Sequence, residues 1–450
     1  NMTPAERLES WVRVRTGAAP VVLGARSALF APMSNLGLIV MDEEHEQSYK
    51  QDNAPRYHSK NLARWLAQQF GCPLVLGSAT PSLESFQEAT MGRVTRVDLP
   101  VRAAAAQMPT VFIEDLSEGY RAKRPSLFTP RLHDLLTETL ARDEQVILFL
   151  NRRAYAPFVV CRECHHRFMC PKCAVALALH RRDRRLKCHH CGHNEPMPMV
   201  CPNCNSEKVG SFGVGVEKVE EAVAAEFPLA RVARLDRDVA KKKGGLEETL
   251  AKFRSGETNV LVGTQLVAKG LDFPRVTLVG VIAADMSLNI PDFRASERTF
   301  QLLSQVAGRS GRGQAHGSVV IQTLNPDHLA VTCARDHDYE TLFAGLIVER
   351  SEAIYPPFCR LVNIVFSGEN QGKVIETSVA AGVELTRALP AAEILGPVDC
   401  SIDRIKNQWR RHIMIKLSPE ADPAPIAAAI QPLQSPKVRI TIDVDAYNLV

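Results

Sequence analysis

The sequence predicts a multi-domain α/β protein that carries a metal-binding insertion. Two short apolar runs rich in β-branched residues, 260–262 and 276–283, have the length of buried parallel strands. Four Cys-x-x-Cys pairs crowd into residues 161–204, a pattern typical of zinc sites. From about residue 355 the apolar segments follow a βαββαβ order, which predicts a separate split-βαβ domain.

Length and composition limit the class of protein. At 450 residues the chain is long enough for two to four domains, each with its own core. A net charge of +4 is only mildly basic, so nucleic-acid contacts must come from local patches. No apolar run approaches the roughly 18 residues needed to cross a bilayer, and nothing at the start resembles a signal peptide. We therefore expect a cytoplasmic monomer without membrane contact.

The first predicted unit covers residues 1–115. Its expected elements are a helix over 2–17, a strand and a turn within 19–32, and strands over 36–41 and 73–76. The turn contains Arg26. Residues 109–130 hold three prolines and are polar, which suggests a linker that ends this unit.

The acidic sequence Asp42-Glu43-Glu44-His45 directly follows the predicted strand over 36–41. A buried strand that ends in carboxylates is typical of nucleotide-hydrolysing motors. Asp42 would hold Mg²⁺ through its water shell, Glu43 would polarise the attacking water, and His45 would report nucleotide state. The alternative is an ordinary acidic loop, but the turn Gly77-Ser-Ala-Thr-Pro after the next strand supports the motor interpretation.

A phosphate-binding P-loop, GxxxxGK[ST], occurs nowhere in the sequence. In a motor it should precede the acidic strand of the same unit. We therefore expect that the chain lacks an N-terminal part and that, alone, it binds ATP poorly and hydrolyses it negligibly.

The loop over 46–60 mixes aromatic and basic residues, including Tyr49 and Arg56. Bases of single-stranded DNA stack on aromatic rings while cations follow the phosphates, so this loop is a candidate DNA contact. The alternative is an ordinary polar loop whose tyrosines pack on the body of the protein.

The second predicted unit covers residues 116–350. A helix over 131–141 and a strand over 145–150 open it, and it resumes after the cysteine-rich stretch with a helix ending at Phe227. A strand ending at Leu235 and a helix over 246–253 lead to the two apolar runs. A helix over 297–307 then runs into Gly-Arg309-Ser-Gly-Arg312. Two guanidinium groups beside flexible glycines suit the γ-phosphate of a nucleotide, as an arginine finger does.

The cysteine-rich insertion, expected over 158–207, holds enough ligands for two tetrahedral Cys₄ zinc sites, which leave no coordination position open for catalysis. A segment this short and polar would take its folding free energy from zinc. Neighbouring pairs, alternate pairs, or nested pairs could share each metal. The 14 residues between Cys173 and Cys188 suit a zinc-ribbon hairpin and favour nesting. The nested sets are Cys161, Cys164, Cys201 and Cys204 for one zinc, and Cys170, Cys173, Cys188 and Cys191 for the other.

The C-terminal domain is expected over 351–450. Between its two middle strands, Trp409 lies among four cations, which makes it a candidate single-strand contact. The alternative is a basic hairpin whose tryptophan caps the sheet.

Taken in order, these motifs resemble those of superfamily-two helicases: DEEH, GSATPS, GTQ at 263–265, KGLDFP at 269–274 and QVAGRSGR at 305–312. With eight cysteines inserted in the second unit, nearly the whole chain resembles the primosomal replication-restart helicases, the PriA family. The resemblance implies RecA-like helicase lobes, the first one truncated, a Cys₄ zinc insertion in the second lobe with nested ligands, and a C-terminal DNA-binding domain.

The resemblance also implies roles for single residues. Gly270, Asp272 and Gln305 would couple to bound nucleotide. Arg26, Thr264 and Gln265 would contact the DNA backbone, although for Arg26 a solvated turn is an equal alternative.

The function implied by the resemblance is that of an ATP-dependent 3′–5′ DNA helicase, using ATP and Mg²⁺, that remodels stalled replication forks. Its expected partners are DNA forks, single-stranded DNA, primosome proteins, single-strand-binding protein and the replicative helicase or its loader. The alternative is a non-catalytic, zinc-dependent scaffold that binds DNA and replication proteins.

Overall fold

The structure is a computed structural model that describes residues 2–99, 108–121, 126–151, 158–180, 183–236, 239–240, 242, 244–264, 273–309, 317–447 and 449. Its described residues form two parallel sheets and two antiparallel sheets, flanked by helices. This confirms the predicted α/β class with an insertion and a separate C-terminal domain. No described helix is both long enough and apolar enough to span a bilayer.

The first unit contains a two-stranded parallel sheet of β1 (Ile39–Met41) and β2 (Leu74–Leu76), in which Ile39 is opposite Leu74. Its helices are α1 (Pro4–Arg15), α2 (Ser59–Phe70) and α3 (Leu83–Thr90). Helix α2 packs Ala63 and Ala67 on β1, which buries one face of the sheet.

The prediction of a strand within residues 19–32 is wrong. This stretch forms a 3₁₀ turn, Arg26–Phe30, and the apolar side chains of Val21 and Leu23 are 81% and 98% exposed. An apolar run becomes a strand only when a neighbour accepts its hydrogen bonds. Among the described residues, no strand pairs with this run.

The second unit is built on a six-stranded parallel sheet in the order β10-β11-β4-β12-β13-β3. Its strands are β3 (Thr110–Asp115), β4 (Gln145–Phe149), β10 (Val232–Leu235), β11 (Val260–Gly263), β12 (Val276–Val281) and β13 (Ser318–Thr323). β3 pairs along its length with β13, so residues 110–115 extend this sheet and are no linker. The boundary expected at residue 115 is therefore displaced towards the N-terminus.

Helices cover both faces of this sheet, which is why its central strands are buried at every position and mostly apolar. One face carries α5 (Pro130–Ala141) and α6 (Val216–Glu226), with Leu132 and Val219 in the shared core. The other face carries α7 (Gly245–Ser255), α9 (Ala295–Ala307), α10 (Leu329–Asp336) and α11 (Tyr339–Glu352). The short helices α4 (Ser117–Arg121) and α8 (Asp285–Leu288) lie in connections.

The insertion separates β4 from α6 and forms a five-stranded antiparallel sheet in the order β8-β7-β6-β5-β9. Its strands are β5 (Phe158–Cys161), β6 (Ala178–His180), β7 (Arg185–Lys187), β8 (Asn194–Pro196) and β9 (Val209–Phe212). Phe158 and Phe212 join the core beneath α5 and α6, so the base of the insertion is part of the second unit.

The C-terminal domain has the predicted split-βαβ order. Its elements are β14 (Arg360–Gly368), α12 (Gln371–Ala388), β15 (Glu393–Ile405), β16 (Gln408–Leu417), α13 (Ala424–Ile430) and β17 (Arg439–Val444). The antiparallel sheet runs β15-β16-β14-β17, and the two helices share one core with it.

Candidate functional site

The carboxyl ends of β1 and β2 are hydrogen-bonded to each other and hold the acidic sequence in place. The amide of Gly77 donates to Met41 O at 2.8 Å, and the amide of Glu44 donates to Gly77 O at 3.0 Å. A Cβ atom on Gly77 would lie 3.6 Å from Asp42 Oδ1, so the two turns are in close contact. The exposed Asp42 carboxylate and Glu43 therefore project from the edge of the sheet.

Glu43 has a left-handed backbone conformation, with φ of 47°. For a residue with a side chain this costs on the order of 1 kcal/mol and is a feature of functional turns. The Glu43 side chain is 45% exposed, and its Oε2 lies 3.6 Å from Nδ1 of the buried His45. The same Nδ1 is 2.7 Å from Ser78 Oγ. His45 thus connects the acidic turn of β1 to the turn that follows β2.

Glu44 is buried and has a separate role that the sequence analysis missed. The Lys60 ammonium binds it at 2.9 Å, and the amide of Ser82 donates to its other oxygen at 2.6 Å. Burial alone would raise the pKa of Glu44, but the Lys60 charge and the Ser82 hydrogen bond outweigh burial and lower it. This charged pair fixes the acidic turn to α2 and to the start of α3.

Helix α9 contacts the turn that follows β2. Glu297 Oε1 accepts from the Leu83 amide at 3.0 Å, and Gln301 Nε2 donates to Thr80 O at 3.3 Å. Gln305 lies one turn further along the helix, and Arg309 follows directly after its C-terminal cap. Since a helix rises about 1.5 Å per residue, Gln305 lies about 6 Å along the axis from Gln301. The helix that bears Gln305 and leads to Arg309 is therefore anchored on the first unit.

Buried ion pairs strengthen the contact between the two units. Glu84, on α3, binds Arg294 at 2.8 Å, and Arg350 lies 3.5 Å away. Burial opposes ionisation of Glu84, but the two arginines outweigh burial and lower its pKa to about 2. Arg350 also binds Glu297 at 2.6 Å. No periodicity in the sequence marks these charges as partners.

Several predicted site residues lie outside the described residues, namely Gln265, Gly270, Asp272 and Arg312. Arg309 is described and partly buried. Thr264 follows β11 at the carboxyl edge of the second sheet, and its amide donates to Leu235 O at 3.3 Å.

The predicted DNA contacts in the first unit are largely engaged with the protein itself. Arg26 Nη1 donates to Ser48 O at 2.6 Å, and the Tyr49 hydroxyl donates to Asp42 O at 2.7 Å. Burial and the nearby carboxylates raise the pKa of Tyr49, so its hydroxyl stays a donor. Arg56 is partly exposed in the same loop. The loop is thus tied to the acidic turn, as the packed alternative requires.

Trp409 lies on β16 next to the turn of the C-terminal hairpin. It is opposite Arg404, whose guanidinium lies 5.1 Å from the indole centroid. The ring is partly buried against the domain core. One face of the indole therefore packs on the sheet while the hairpin around it carries the cations.

The eight sulfur atoms of the insertion form two groups, and within each group all four lie within 4.8 Å of one another. The outer group is Cys161, Cys164, Cys201 and Cys204, and the inner group is Cys170, Cys173, Cys188 and Cys191. This is the nested pairing. Sulfur pairs at 3.5 to 3.6 Å are too far apart for disulfides and match the roughly 3.8 Å separation set by a zinc–sulfur bond of about 2.3 Å in a tetrahedron.

Each Cys-x-x-Cys pair has the same backbone geometry. In all four, the amide of the first cysteine donates to the carbonyl five residues on, and its carbonyl accepts from the amide four residues on. The residue at that fourth position has a positive φ each time: His165, Ala174, Gly192 and Asn205. Four turns of one kind aim each pair of sulfurs at a common point, so the residues fit two structural zinc ions.

His190, which lies between the inner cysteines Cys188 and Cys191, contacts the C-terminal domain. His190 Nδ1 lies 3.0 Å from the Tyr355 hydroxyl, which donates to Cys173 O at 3.1 Å. The Tyr355 ring stacks on Phe293 at 4.2 Å. The inner cysteine group is therefore packed against the start of the C-terminal domain and against the second unit.

Three family models match separate parts of the chain. The primosomal protein N C-terminal domain matches residues 351–447, the PriA DNA helicase Cys-rich region domain matches 170–196, and the helicase conserved C-terminal domain matches 203–314.

Curated relatives match along the full sequence. Replication restart protein PriA of Bacillus subtilis is 42% identical over all of this chain and 56% of its own length. The protein of the same name from Treponema pallidum is 42% identical over 92% of this chain and 62% of its own length, and that of Haemophilus influenzae is 35% identical over 100% and 62%. The chain thus spans about three fifths of these relatives. On the strength of all three domain matches and these relatives, the chain belongs to the PriA family of replication restart proteins.

Proposed function

We propose that this chain forms part of an ATP-dependent 3′–5′ DNA helicase that remodels stalled replication forks and supports primosome assembly and reloading of the replicative helicase. The observation that carries the proposal is the contact of α9, which bears Gln305 and leads to Arg309, with the turn of the first unit beside Asp42 and Glu43. Hydrolysis in a cleft between two units requires acidic groups on one unit and arginines on the other. Here α9 connects the two.

The residues at the acidic turn fit this chemistry. Asp42 is exposed, and one of its oxygens accepts from the Glu43 amide at 2.9 Å, which orients the carboxylate. Mg²⁺, when bound, would neutralise phosphate charge. Glu43, half exposed and next to His45, is placed to orient a water molecule, and Arg309 would stabilise the negative charge that develops on the phosphoryl group.

The zinc ions would be structural. Each cysteine group supplies four sulfurs, so no position is left for a substrate. Their contribution is folding free energy, on the order of 10 kcal/mol per site, to an insertion whose small apolar core includes the inner cysteines themselves.

The nucleic-acid partner is proposed to be single-stranded or forked DNA. Supporting features are the cationic hairpin around Trp409 and the loop bearing Arg56, together with Thr264 at the edge of the second sheet. Primosome proteins, single-strand-binding protein and the replicative helicase or its loader are proposed as protein partners from the family alone.

DNA-stimulated ATP hydrolysis tests the proposal. It would be measured on the 450-residue chain and on a chimaera that adds the part of the Bacillus subtilis relative outside the match. We expect stimulated hydrolysis in the chimaera, a loss of at least a hundredfold in Glu43→Gln, and no loss in the exposed control Glu369→Gln. DNA binding without hydrolysis in either form would overturn the motor proposal and favour the zinc-dependent scaffold.

A further inference from the structure

The C-terminal segment, defined here as residues 443–447, lies between the first unit and helix α9. Its first two residues, Asp443 and Val444, end β17, which pairs with β14 at six positions, so its start is held firmly in the C-terminal domain. Beyond Val444 the chain leaves the sheet and is in contact with both other units. The first and second units are therefore joined through a third part of the molecule in addition to their direct contact.

On one side the segment binds the aromatic and basic loop of the first unit. The buried Lys50 ammonium binds Asp443 at 2.8 Å and donates to Val444 O at 2.7 Å. Asn61 Nδ2, on α2, donates to Asp445 Oδ2 at 3.2 Å. These contacts involve both side chains and backbone, so they fix the position of the segment and also neutralise the charge of Asp443.

On the other side it binds the first turn of α9. Arg298 Nη2 donates to Tyr447 O at 2.8 Å. The Arg294 guanidinium lies between two rings, 4.5 Å from the centroid of Tyr447 and 4.2 Å from that of Phe293. Cation–π contacts of this kind are strongest when water is excluded, and Arg294 is only 4% exposed.

Tyr447 also reaches the acidic turn directly. Its hydroxyl donates to His45 O at 3.3 Å, and its ring lies 5.9 Å from that of His58. Burial raises the pKa of Tyr447, so the hydroxyl stays protonated and remains a donor. One buried side chain thus touches the motif that carries Asp42 and Glu43 and the helix that leads to Arg309.

We infer that Tyr447 is a positioning residue through which the C-terminal domain sets the acidic turn relative to the arginine-bearing helix. The effect of Tyr447 on catalysis rests on the proposed function. Its role in holding the acidic turn beside α9 rests on the contacts alone. Any displacement of the C-terminal domain, such as one on binding DNA, must carry the segment along with β17. Because the segment is bonded to His45 and Arg298 at once, that movement changes the cleft in which hydrolysis takes place.

The structural part is tested by hydrogen exchange on the 450-residue chain. Tyr447→Phe keeps the ring beside Arg294 but removes the donor to His45 O. Loss of one hydrogen bond of about 1 kcal/mol predicts about fivefold faster amide exchange in residues 43–50, less change in β4, and a thermal midpoint lowered by no more than about 4 °C. The matched control is Tyr339→Phe, which removes the hydroxyl that donates to Pro81 O and should leave residues 43–50 unchanged.

The catalytic part is tested in the chimaera described above. Tyr447→Phe should lower the DNA-stimulated kcat about fivefold with the KM for ATP unchanged. Tyr339→Phe should leave the ratio of DNA-stimulated to unstimulated kcat unchanged. The inference is overturned if Tyr447→Phe leaves exchange in residues 43–50 at the wild-type rate while Tyr447→Ala lowers the thermal midpoint, because the ring would then serve packing alone. If the parent chimaera hydrolyses no ATP, the proposed function fails, and the exchange result still decides the inference.

Discussion

The imidazole Nε2 of His412 lies 2.7 Å from the carbonyl oxygen of His189. His412 is on β16 of the C-terminal domain, and His189 directly follows the zinc-group residue Cys188. His189 in turn lies 3.1 Å through Nδ1 from Asp399 O. The loop that carries two inner cysteines is thus held by the C-terminal sheet at two points, the carbonyl and the imidazole of His189. The position of the C-terminal domain should therefore depend on the inner cysteine group and not on the outer one.

The inner zinc site should control docking of the C-terminal domain. Cys188→Ser should lower the zinc content from two ions per chain to one and should raise hydrogen exchange in β16 and in the first half of β15, since the loop around His189 loses its fixed shape. Cys204→Ser, in the outer group, should also remove one zinc. Its effect should fall instead on β5 and β9, where the insertion joins the second unit.

Zinc content by elemental analysis and exchange by mass spectrometry check this difference. Equal protection of β16 in both variants would contradict an inner site that organises the interface. Loss of both ions in either variant would mean that the two groups fold as one unit.

Gly192 should not tolerate a side chain. Its φ is +79°, and a Cβ atom there would lie 2.8 Å from Val398 Cγ1 of the C-terminal domain. We expect Gly192→Ala to destabilise the interface by about 2 kcal/mol, through backbone strain and the contact with Val398. Adding Val398→Ala should restore only the part of the lost stability that comes from the steric contact with Val398. Thermal unfolding of the single and double variants measures both, and a double variant no more stable than Gly192→Ala would show that strain alone operates.

Much of this architecture follows from local pattern. The strand β4 is buried at every position, as an apolar run before a polar turn predicts, and the cysteines have the nested grouping that their spacing favours among three possible pairings. The strand β3 is hard to predict because Pro109 directly precedes it and its partner β13 is distant in sequence, so nothing local marks it as part of a sheet.

The contacts that join the units could not be predicted in this way. Glu297 accepts from the Leu83 amide across 214 residues, and Tyr447 reaches His45 across 402. Helical periodicity identifies the buried apolar face of α9, but it gives no reason for a carboxylate to be buried there. Such pairs form only when folded domains pack against each other. No fixed spacing in the sequence indicates which residues will meet.

The buried pair of Glu44 and Lys60 should be costly to break. Their side chains are 1% and 11% exposed. Lys60→Met leaves a buried carboxylate without a counter-charge, so we expect a loss of about 3 to 5 kcal/mol in stability of the first unit. Lys60→Met combined with Glu44→Gln should recover part of it, because the neutral amide still accepts from the Ser82 amide. A double-mutant cycle on thermal unfolding measures the coupling, and additive losses would contradict a direct pair.

His58 should make the first unit less stable in mild acid. It caps α2, its Nδ1 accepting from the Lys60 amide at 3.2 Å, and burial followed by the charges of Lys60 and Lys50 lowers its pKa to about 4. An unfolded histidine has a pKa of about 6.5. Between about pH 6.5 and pH 4 the unfolded chain therefore binds more protons than the folded one, and stability falls as the pH drops, by up to about 1.4 kcal/mol per pH unit.

His58→Asn isolates this effect, because the asparagine side chain still accepts the Lys60 amide as a helix cap but does not titrate in this range. Below pH 6.5 the thermal midpoint of the first unit should fall less steeply in His58→Asn than in the wild type, while the two should respond alike between pH 7 and pH 8. Acid-induced loss of zinc affects both proteins equally, so the difference between their slopes reports His58 alone. Parallel slopes from pH 7 to pH 5 would mean that the pKa of His58 is the same in the folded and the unfolded protein.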